Sequence, residues 1–577
     1  MKNNTTTFIS LLLIFLTLSA LADPEITNIR QNTDTVGLFD KFELQISLIA
    51  VCDNPFDPED ISISAIFTAP SGKDWVIDGF YNYTGWRSLW MVRFSPMEMG
   101  KWSYVINVKN RNGEIKSSPK DFIVEPSRYH GHLQVAANER YLEYSDGTPF
   151  YGVGFWYNDG YKEFNRGRIK ADELDKLKNL GINIISSFIT PLETVGSGLG
   201  RYDQNICGRL DELFGWMEDR ELQLSLNMWF HPYLSETVWG GGNILWETNP
   251  YQTICDVKDF YSSDKAWQYQ EQLYRYFIAR WGYSRSLAMW FTIDEVNGTD
   301  GWTSGDSLGA TKWAGKVQQF FVENDPYRHL TTGTRSGGIK EWWHEGYQTF
   351  DIAAREIYEA QGFAINRTGT LKNANANPLR HSYFNYATEV SRLWDNYKKP
   401  AIIGETGWDH TFYEFYMPGY LAQYHNALWV CLTSGTAMTP LWWSHNPRLN
   451  NMLVSNQATS IRNFTNEIPF SKLTNVAQLD IEITNGDAFA IRSDEVIFGW
   501  AVNPDTDVVG DTITVASLKS GKYKMRLFHT WRGQFFSENE ITTTDGTIKI
   551  IVPTLHITGT HAKYFGQDAA FILEFLE

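Results

Sequence analysis

Two apolar runs of this 577-residue chain end in carboxylates. In "SLAMWFTIDEVNG", Ser286 to Gly298, the run closes on the adjacent pair Asp294 and Glu295. In "KKPAIIGETGWDH", Lys398 to His410, it closes on Glu405. A carboxyl kept protonated can hand its proton to a departing oxygen, and an ionised one can attack carbon. Two that meet across one cleft can divide these tasks over a glycosidic bond. Burial and mutual repulsion raise the pKa of the one that must stay protonated. A lone glutamate at a strand end is more often solvated or salt-bridged, so the reading depends on whether the fold brings the two ends together.

The elements around them supply such a fold. From about Ser127 to Leu473, eight strand-like runs occur: "PFYGVGFW", "GINIISSFI", "LQLSLNMWF", "SLAMWFTIDE", "RHLTTGTR", "FDIAAREIY", "PAIIGE" and "AMTPLWWS". Amphipathic helical stretches lie between them, among them "ADELDKLKNL", "GRLDELFGWMEDR", "SSDKAWQYQEQLYRYFIARW", "TKWAGKVQQFFVEN" and "NYATEVSRLWDNY". Eight strands alternating with helices predict an α/β fold, a (β/α)8 barrel. A doubly wound open sheet is the competitor, but neither GxGxxG nor a P-loop is present. In a barrel the carboxyl ends of all strands face one mouth. Glu295, at the end of the fourth strand, and Glu405, at the end of the seventh, then share it. Residues 23–126 and 474–577 show short alternating segments separated by turns and predict two small all-β sandwiches flanking a barrel of residues 127–473.

Further strand-end residues are candidates for holding a ligand. They are Trp156 after the first strand, Trp229 and His231 after the third, Arg335 after the fifth and Tyr358 after the sixth. Trp408 and His410 follow the seventh, and Trp442, Trp443 and His445 the eighth. Aromatic rings there can stack on the apolar faces of sugars, and aromatic residues make up 15% of the chain, a share that suits such stacking or simply aromatic cores. Tyr358 is placed to hydrogen-bond Glu405. Arg335 and Arg355, if both face the mouth, would favour a sulfated or uronic sugar.

Other chemistries find little support. "WWHEG" lacks the HExxH spacing of a zinc protease and no GxSxG is present, so neither a metal nor a cofactor is expected. The four cysteines show no CxxC pattern, and buried thiols are favoured over a disulfide framework. A net charge of −17 disfavours nucleic acid and anionic membranes as partners. The first 22 residues, with Lys2, an apolar centre from Phe8 to Leu18 and the small-x-small triplet Ala20-Leu21-Ala22, read as a signal peptide. No further apolar stretch is long enough to span a membrane, so an exported periplasmic or extracellular protein is expected. The oligomeric state is open.

"WFTIDE" and "PAIIGETGW" resemble the fourth-strand and seventh-strand signatures of clan A retaining glycoside hydrolases, which include the cellulase-like family 5. "RYFIARWGYSRSLAMWFTIDEVNG" is similar to the helix-plus-strand run of its bacterial polysaccharide-degrading members. The resemblance covers roughly residues 140–470 and implies a carbohydrate substrate, with Glu295 as acid/base and Glu405 as nucleophile. The flanking segments resemble the Ig-like N-terminal and β-sandwich C-terminal domains that accompany such barrels. Two departures stand out. Asp294 occupies the place of an asparagine, and the second strand, "GINIISSFI", lacks an arginine often found there in family 5. An ionised aspartate only accepts hydrogen bonds, whereas asparagine also donates. Asp294 could therefore raise the pKa of Glu295, accommodate an altered sugar substituent, or mark a glycan-binding barrel without turnover. A transglycosylase is the third reading.

Overall fold

The computed structural model describes residues 23–83, 85, 87–157, 171–189, 191–240, 244–337, 342–358, 378–407, 418–444, 452–555 and 566–576. The leader segment 1–22 and the candidates Trp408, His410 and His445 fall outside these residues.

The eight expected runs form one parallel sheet. Its strands are β1 (Gly154–Tyr157), β2 (Ile184–Phe188), β3 (Gln223–Asn227), β4 (Leu287–Phe291), β5 (Leu330–Thr332), β6 (Ala353–Tyr358), β7 (Ala401–Gly407) and β8 (Trp442–Ser444). They pair in the order β5-β4-β3-β2-β1-β8-β7-β6. The β5/β6 seam has no ladder but is bridged: Ile352 N–H donates to Thr331 O at 3.1 Å, and Thr331 N–H donates to Asp351 Oδ2 at 3.0 Å. The sheet is a nearly closed (β/α)8 barrel.

Each strand is followed by a helix: α1 (Ala171–Asn179), α2 (Gln204–Arg220), α3 (Asp264–Trp281), α4 (Ser307–Asn324), α5 (His344–Thr349), α6 (Pro378–Tyr397), α7 (Pro418–Ser434) and α8 (Met452–Thr465). Asp203, Ser263 and Asp306 cap α2, α3 and α4, their side chains accepting first-turn N–H groups. Strand alternation sorts the core into two layers. Leu224, Leu226, Leu287, Trp290 and Ile403 pack outward under the helices. Trp156, Ile184, Phe291, Leu330, Ala354 and Ile402 fill the barrel interior.

All-β sheets lie on both sides in sequence. Before the barrel, a four-stranded sheet built from 25–31, 42–49, 88–94 and 80–83 faces a six-stranded one across a core that includes Phe42, Phe67, Phe94, Trp102 and Phe122. After it, a six-stranded sheet and a three-stranded sheet enclose Ile497, Ile513, Val515, Ile550 and Phe571. Cys52, Cys207, Cys255 and Cys431 are all free. No helix among the described residues is long and apolar enough to cross a membrane.

Candidate active site

Four carboxyl groups meet at the carboxyl ends of the strands. Asp294 and Glu295 lie just past β4, on a segment that continues to pair with the end of β5. Val296 N–H donates to Thr334 O, and Thr334 N–H to Ile293 O, both at 3.0 Å. On the other side Asp294 N–H donates to Trp229 O at 2.9 Å. Glu295 itself adopts left-handed backbone angles, φ 50° and ψ 60°. A residue other than glycine rarely holds that conformation without support from its surroundings. Here the Glu295 N–H is fixed on Thr334 Oγ1 at 3.0 Å.

Glu405 reaches the mouth by a bulge. β6 and β7 run in register from Ala353/Ala401 to Arg355/Ile403, and then Glu356 pairs with Glu405, leaving Gly404 as the extra residue. One extra residue reverses the side on which the following side chains emerge. Ile403 faces the helices, yet Glu405 faces inward and Thr406 faces α6, where it meets the Tyr386 hydroxyl. A Cβ on Gly404 would lie 2.8 Å from Thr334 Cγ2 and 3.2 Å from Ala354 Cβ, so only glycine fits.

Three of the acids are almost sealed, Asp294 at 1% exposed, Glu356 at 0% and Glu405 at 4%, and Glu295 is half-buried. Among the described residues the basic side chain that meets them is His231, whose Nε2 lies 3.1 Å from Glu295 Oε2. Burial pushes the Glu295 carboxyl up, but the His231 contact outweighs it and holds the group below the ordinary carboxylate range. Burial, then the facing charges of Asp294 and Glu295, push Glu405 well up, against the Tyr358 hydroxyl, which donates to its Oε1. Burial and facing carboxylates do the same to Asp294 and Glu356. The oxygens of Asp294, Glu356 and Glu405 lie within 4.8 Å of one another, as do the potential ligand atoms of His231, Asp294 and Glu295. Such spacing suits a shared proton as well as a cation.

The other expected residues divide. Tyr358, His231 and Trp443 are at the mouth. Trp443 is partly exposed and rests 5.9 Å from Trp156 and 6.0 Å from Phe188. Trp156, Trp229 and Trp442 are not presented to a ligand. Trp156 lies beneath the site, fully buried, its indole N–H donating to Gly404 O at 2.7 Å. Trp229 turns toward α3, donating to the Tyr274 hydroxyl at 2.8 Å and packing on Tyr251 and Phe260. Trp442 points outward against Tyr424 of α7, because alternate residues of a strand face opposite sides. Arg355 likewise faces outward and pairs with Glu389 of α6 at 3.1 Å, which removes the arginine pair considered above. Arg335 donates to Ser336 O, its guanidinium 5.9 Å from the Trp302 ring.

Three residues at the site escaped the sequence reading. Glu356 stands two positions before Tyr358, and the period of two within one strand was the signal that could have found it. Thr334 links the acids by accepting from the Glu295 N–H and donating to Glu356 Oε1. Trp239 is 50% exposed, with its ring 4.8 Å from that of His231. A Cβ on Gly298 would strike both rings, at 2.6 Å and 2.8 Å, so glycine admits them.

Comparison with known proteins agrees with the fold. A domain of unknown function, DUF5060, matches residues 35–109, in the sandwich before the barrel. No curated protein matches the chain. Among solved structures, a Bacteroides vulgatus protein provisionally described as a glycoside hydrolase is similar over 94% of this chain and 100% of its own, with TM-score 0.61 and 17% identity. An exo-β-1,4-mannosidase from an Opitutaceae bacterium is similar over 56% of this chain and 57% of its own, with TM-score 0.42 and 16% identity. An endo-1,4-β-mannanase from Thermotoga petrophila is similar over 55% of this chain and 100% of its own, with TM-score 0.41 and 12% identity. All three are described as glycoside hydrolases, and the likeness to the Bacteroides vulgatus structure is one of fold.

Proposed function

We propose that this chain is an exported retaining glycoside hydrolase that cleaves β-glycosidic bonds of a polysaccharide or oligosaccharide. The observation that carries the reading is the convergence of Glu295 and Glu405, from β4 and β7, on one buried cluster at the strands' carboxyl ends. Glu405 is the nucleophile. Its carboxylate attacks the anomeric carbon while Glu295 gives its proton to the departing oxygen, leaving a glycosyl ester on Glu405. Water then attacks that carbon, Glu295 takes its proton, and Glu405 leaves as a carboxylate. The Tyr358 O–H favours the ionised form of Glu405 at both ends of the cycle. The His231–Glu295 pair shares a proton in the same hydrogen bond whichever partner holds it, so His231 can return it to Glu295. Trp443 and the exposed Trp239 offer ring faces for sugar. Residues 23–126 and 474–577 are accessory sandwiches to the catalytic barrel of 127–473.

The test is Glu405→Ala with an activated β-aryl glycoside. Hydrolysis should disappear, and azide should restore turnover with an inverted glycosyl azide as product. Unchanged hydrolysis in Glu405→Ala refutes the assignment. Glycan binding by the wild type without any product over long incubation would place the barrel among non-catalytic binders.

A further inference from the structure

Glu356 has no part in the two-step scheme, yet it occupies the centre of the acid cluster. It is fully buried on β6, on the same strand face as Tyr358. Its Oε1 accepts the Thr334 hydroxyl proton. Among the described residues its Oε2 has no donor, and neither has Asp294 Oδ1. A carboxyl oxygen of each nevertheless lies within 4.8 Å of one of the other. Two carboxylates offer only acceptors, so neither can satisfy the other unless one of them carries a proton. Two sealed anions side by side, with no cation on either, are strongly disfavoured in a low-dielectric interior.

The groups facing the pair do not relieve this. Glu295 comes from the end of β4, with His231 behind it from the end of β3, and Glu405 comes from β7 with the Tyr358 hydroxyl committed to it. Arg355 is turned outward to Glu389, and the Arg335 guanidinium lies beside Trp302. Asn227, the last residue of β3, is 1% exposed, and neither its amide oxygen nor its nitrogen has a partner among the described residues. Buried unpaired polar groups of this kind are what a polar ligand would satisfy.

We propose that Glu356 is a positioning residue that holds one proton jointly with Asp294: before a sugar binds the proton lies between the two carboxyls, and with a sugar bound it lies on Asp294, which donates it in a hydrogen bond to a substrate hydroxyl while Glu356 carries the single negative charge of the pair. The sugar in this statement rests on the glycosidase reading; the shared proton does not. Burial and the surrounding carboxylates push both groups upward, in line with a proton retained at neutral pH. One proton cuts the charge of this pair by half and so lowers the repulsion on Glu405, which must ionise to act.

The first readout needs no substrate. Infrared difference spectra at neutral pH, of full-length protein after EDTA treatment, compare the wild type with Glu356→Gln and with Asp294→Asn. An amide in either place supplies the missing donor, so each variant should lose the C=O stretch of a buried protonated carboxyl. A band unchanged in both variants overturns the proposal. So does a band that appears in the wild type only after chelation, since a cation then holds the oxygens. The second readout is the pH dependence of kcat/KM. Glu356→Gln leaves Asp294 ionised and should lower kcat/KM by about 10- to 100-fold, the worth of a hydrogen bond to a charged or developing charge. Asp294→Asn in that background restores a donor and should recover most of the loss, with an alkaline limb moved to higher pH than in the wild type. A double variant no better than Glu356→Gln overturns the donor role. A wild type that cleaves no glycan while the band behaves as expected removes the glycosidase reading and leaves the shared proton standing.

Discussion

Tyr358 and Glu405 stand on neighbouring strands, β6 and β7, and their contact sets how readily Glu405, the proposed nucleophile, ionises. The phenol donates to Glu405 Oε1 inside a sealed site, where burial and the charges of Asp294 and Glu295 all oppose ionisation. Tyr358→Phe removes the one influence that lowers the Glu405 pKa. The pKa therefore rises, and the acid limb of kcat/KM should move to higher pH, because Glu405 must lose its proton before it attacks. At neutral pH kcat should fall by roughly 10- to 100-fold, the range of a hydrogen bond to a charged group. A pH–rate profile checks both; an unshifted acid limb would mean that the phenol only packs. At Glu295 the sign is opposite. His231 holds that carboxyl down by pairing with its ionised form. His231→Ala should leave Glu295 more readily protonated but remove the group that returns its proton. Loss of kcat is then expected to be larger for poor leaving groups, which need the proton most, than for activated aryl glycosides.

The β7 bulge decides at the level of the element whether Glu405 is useful. With Gly404 in place, β7 shifts by one residue against β6 and aims Glu405 inward. Gly404→Ala must push Thr334 or Ala354 aside. Overpacking of that kind costs about 1–3 kcal/mol, and Thr334 is also the residue that fixes the Glu295 N–H and Glu356. Activity should therefore fall far more than thermal stability. Equal losses in melting temperature and in kcat would show that the bulge has no special role. The bulge also explains part of what the sequence could convey. All eight strand runs were legible, because buried parallel strands are short apolar stretches bounded by turns. Their inward and outward faces were less so. Period-two counting from Ile402 aims Glu405 at the helices, and only the extra residue corrects it. Trp229 lies past the end of β3, where no alternation rule applies, and it turned out to anchor α3. The helix α7 is hard to read because residues 421–434 are buried all round, between the barrel and the last sandwich, and so lack the one-sided pattern of a surface helix.

At the scale of the whole molecule the barrel is held to both sandwiches by buried charge. On the C-terminal side His425 of α7 contacts Asp568 at 2.9 Å and stacks on Trp531 at 3.9 Å, while the Trp500 and Trp531 indoles donate to the same carboxylate. On the N-terminal side Arg93, from the strand 88–94, reaches Asp211 of α2 at 2.7 Å and Glu43 at 2.9 Å. Arg280 of α3 meets the same Asp211 at 2.6 Å, and the Trp281 indole donates to it at 2.9 Å. One aspartate thus pairs with two arginines that are 6% and 1% exposed, with Glu43 as a second partner of Arg93. Burial pushes Asp211 up, but Arg93 and Arg280 outweigh it and hold it far below the ordinary range. A carboxyl whose folded pKa is depressed adds stability that is fully present above its unfolded pKa, about 3.9 for aspartate, and that disappears as pH falls toward the folded value. Asp211→Ala leaves both arginines buried without their shared partner, a change that costs about 3–5 kcal/mol. Urea unfolding of the variant should show that loss at neutral pH. The difference from the wild type should narrow in acid, where protonation of Asp211 removes the same charge. A gap that stays constant from neutral pH down to strong acid would instead mean that α2 and the sandwich are joined by their apolar contacts alone.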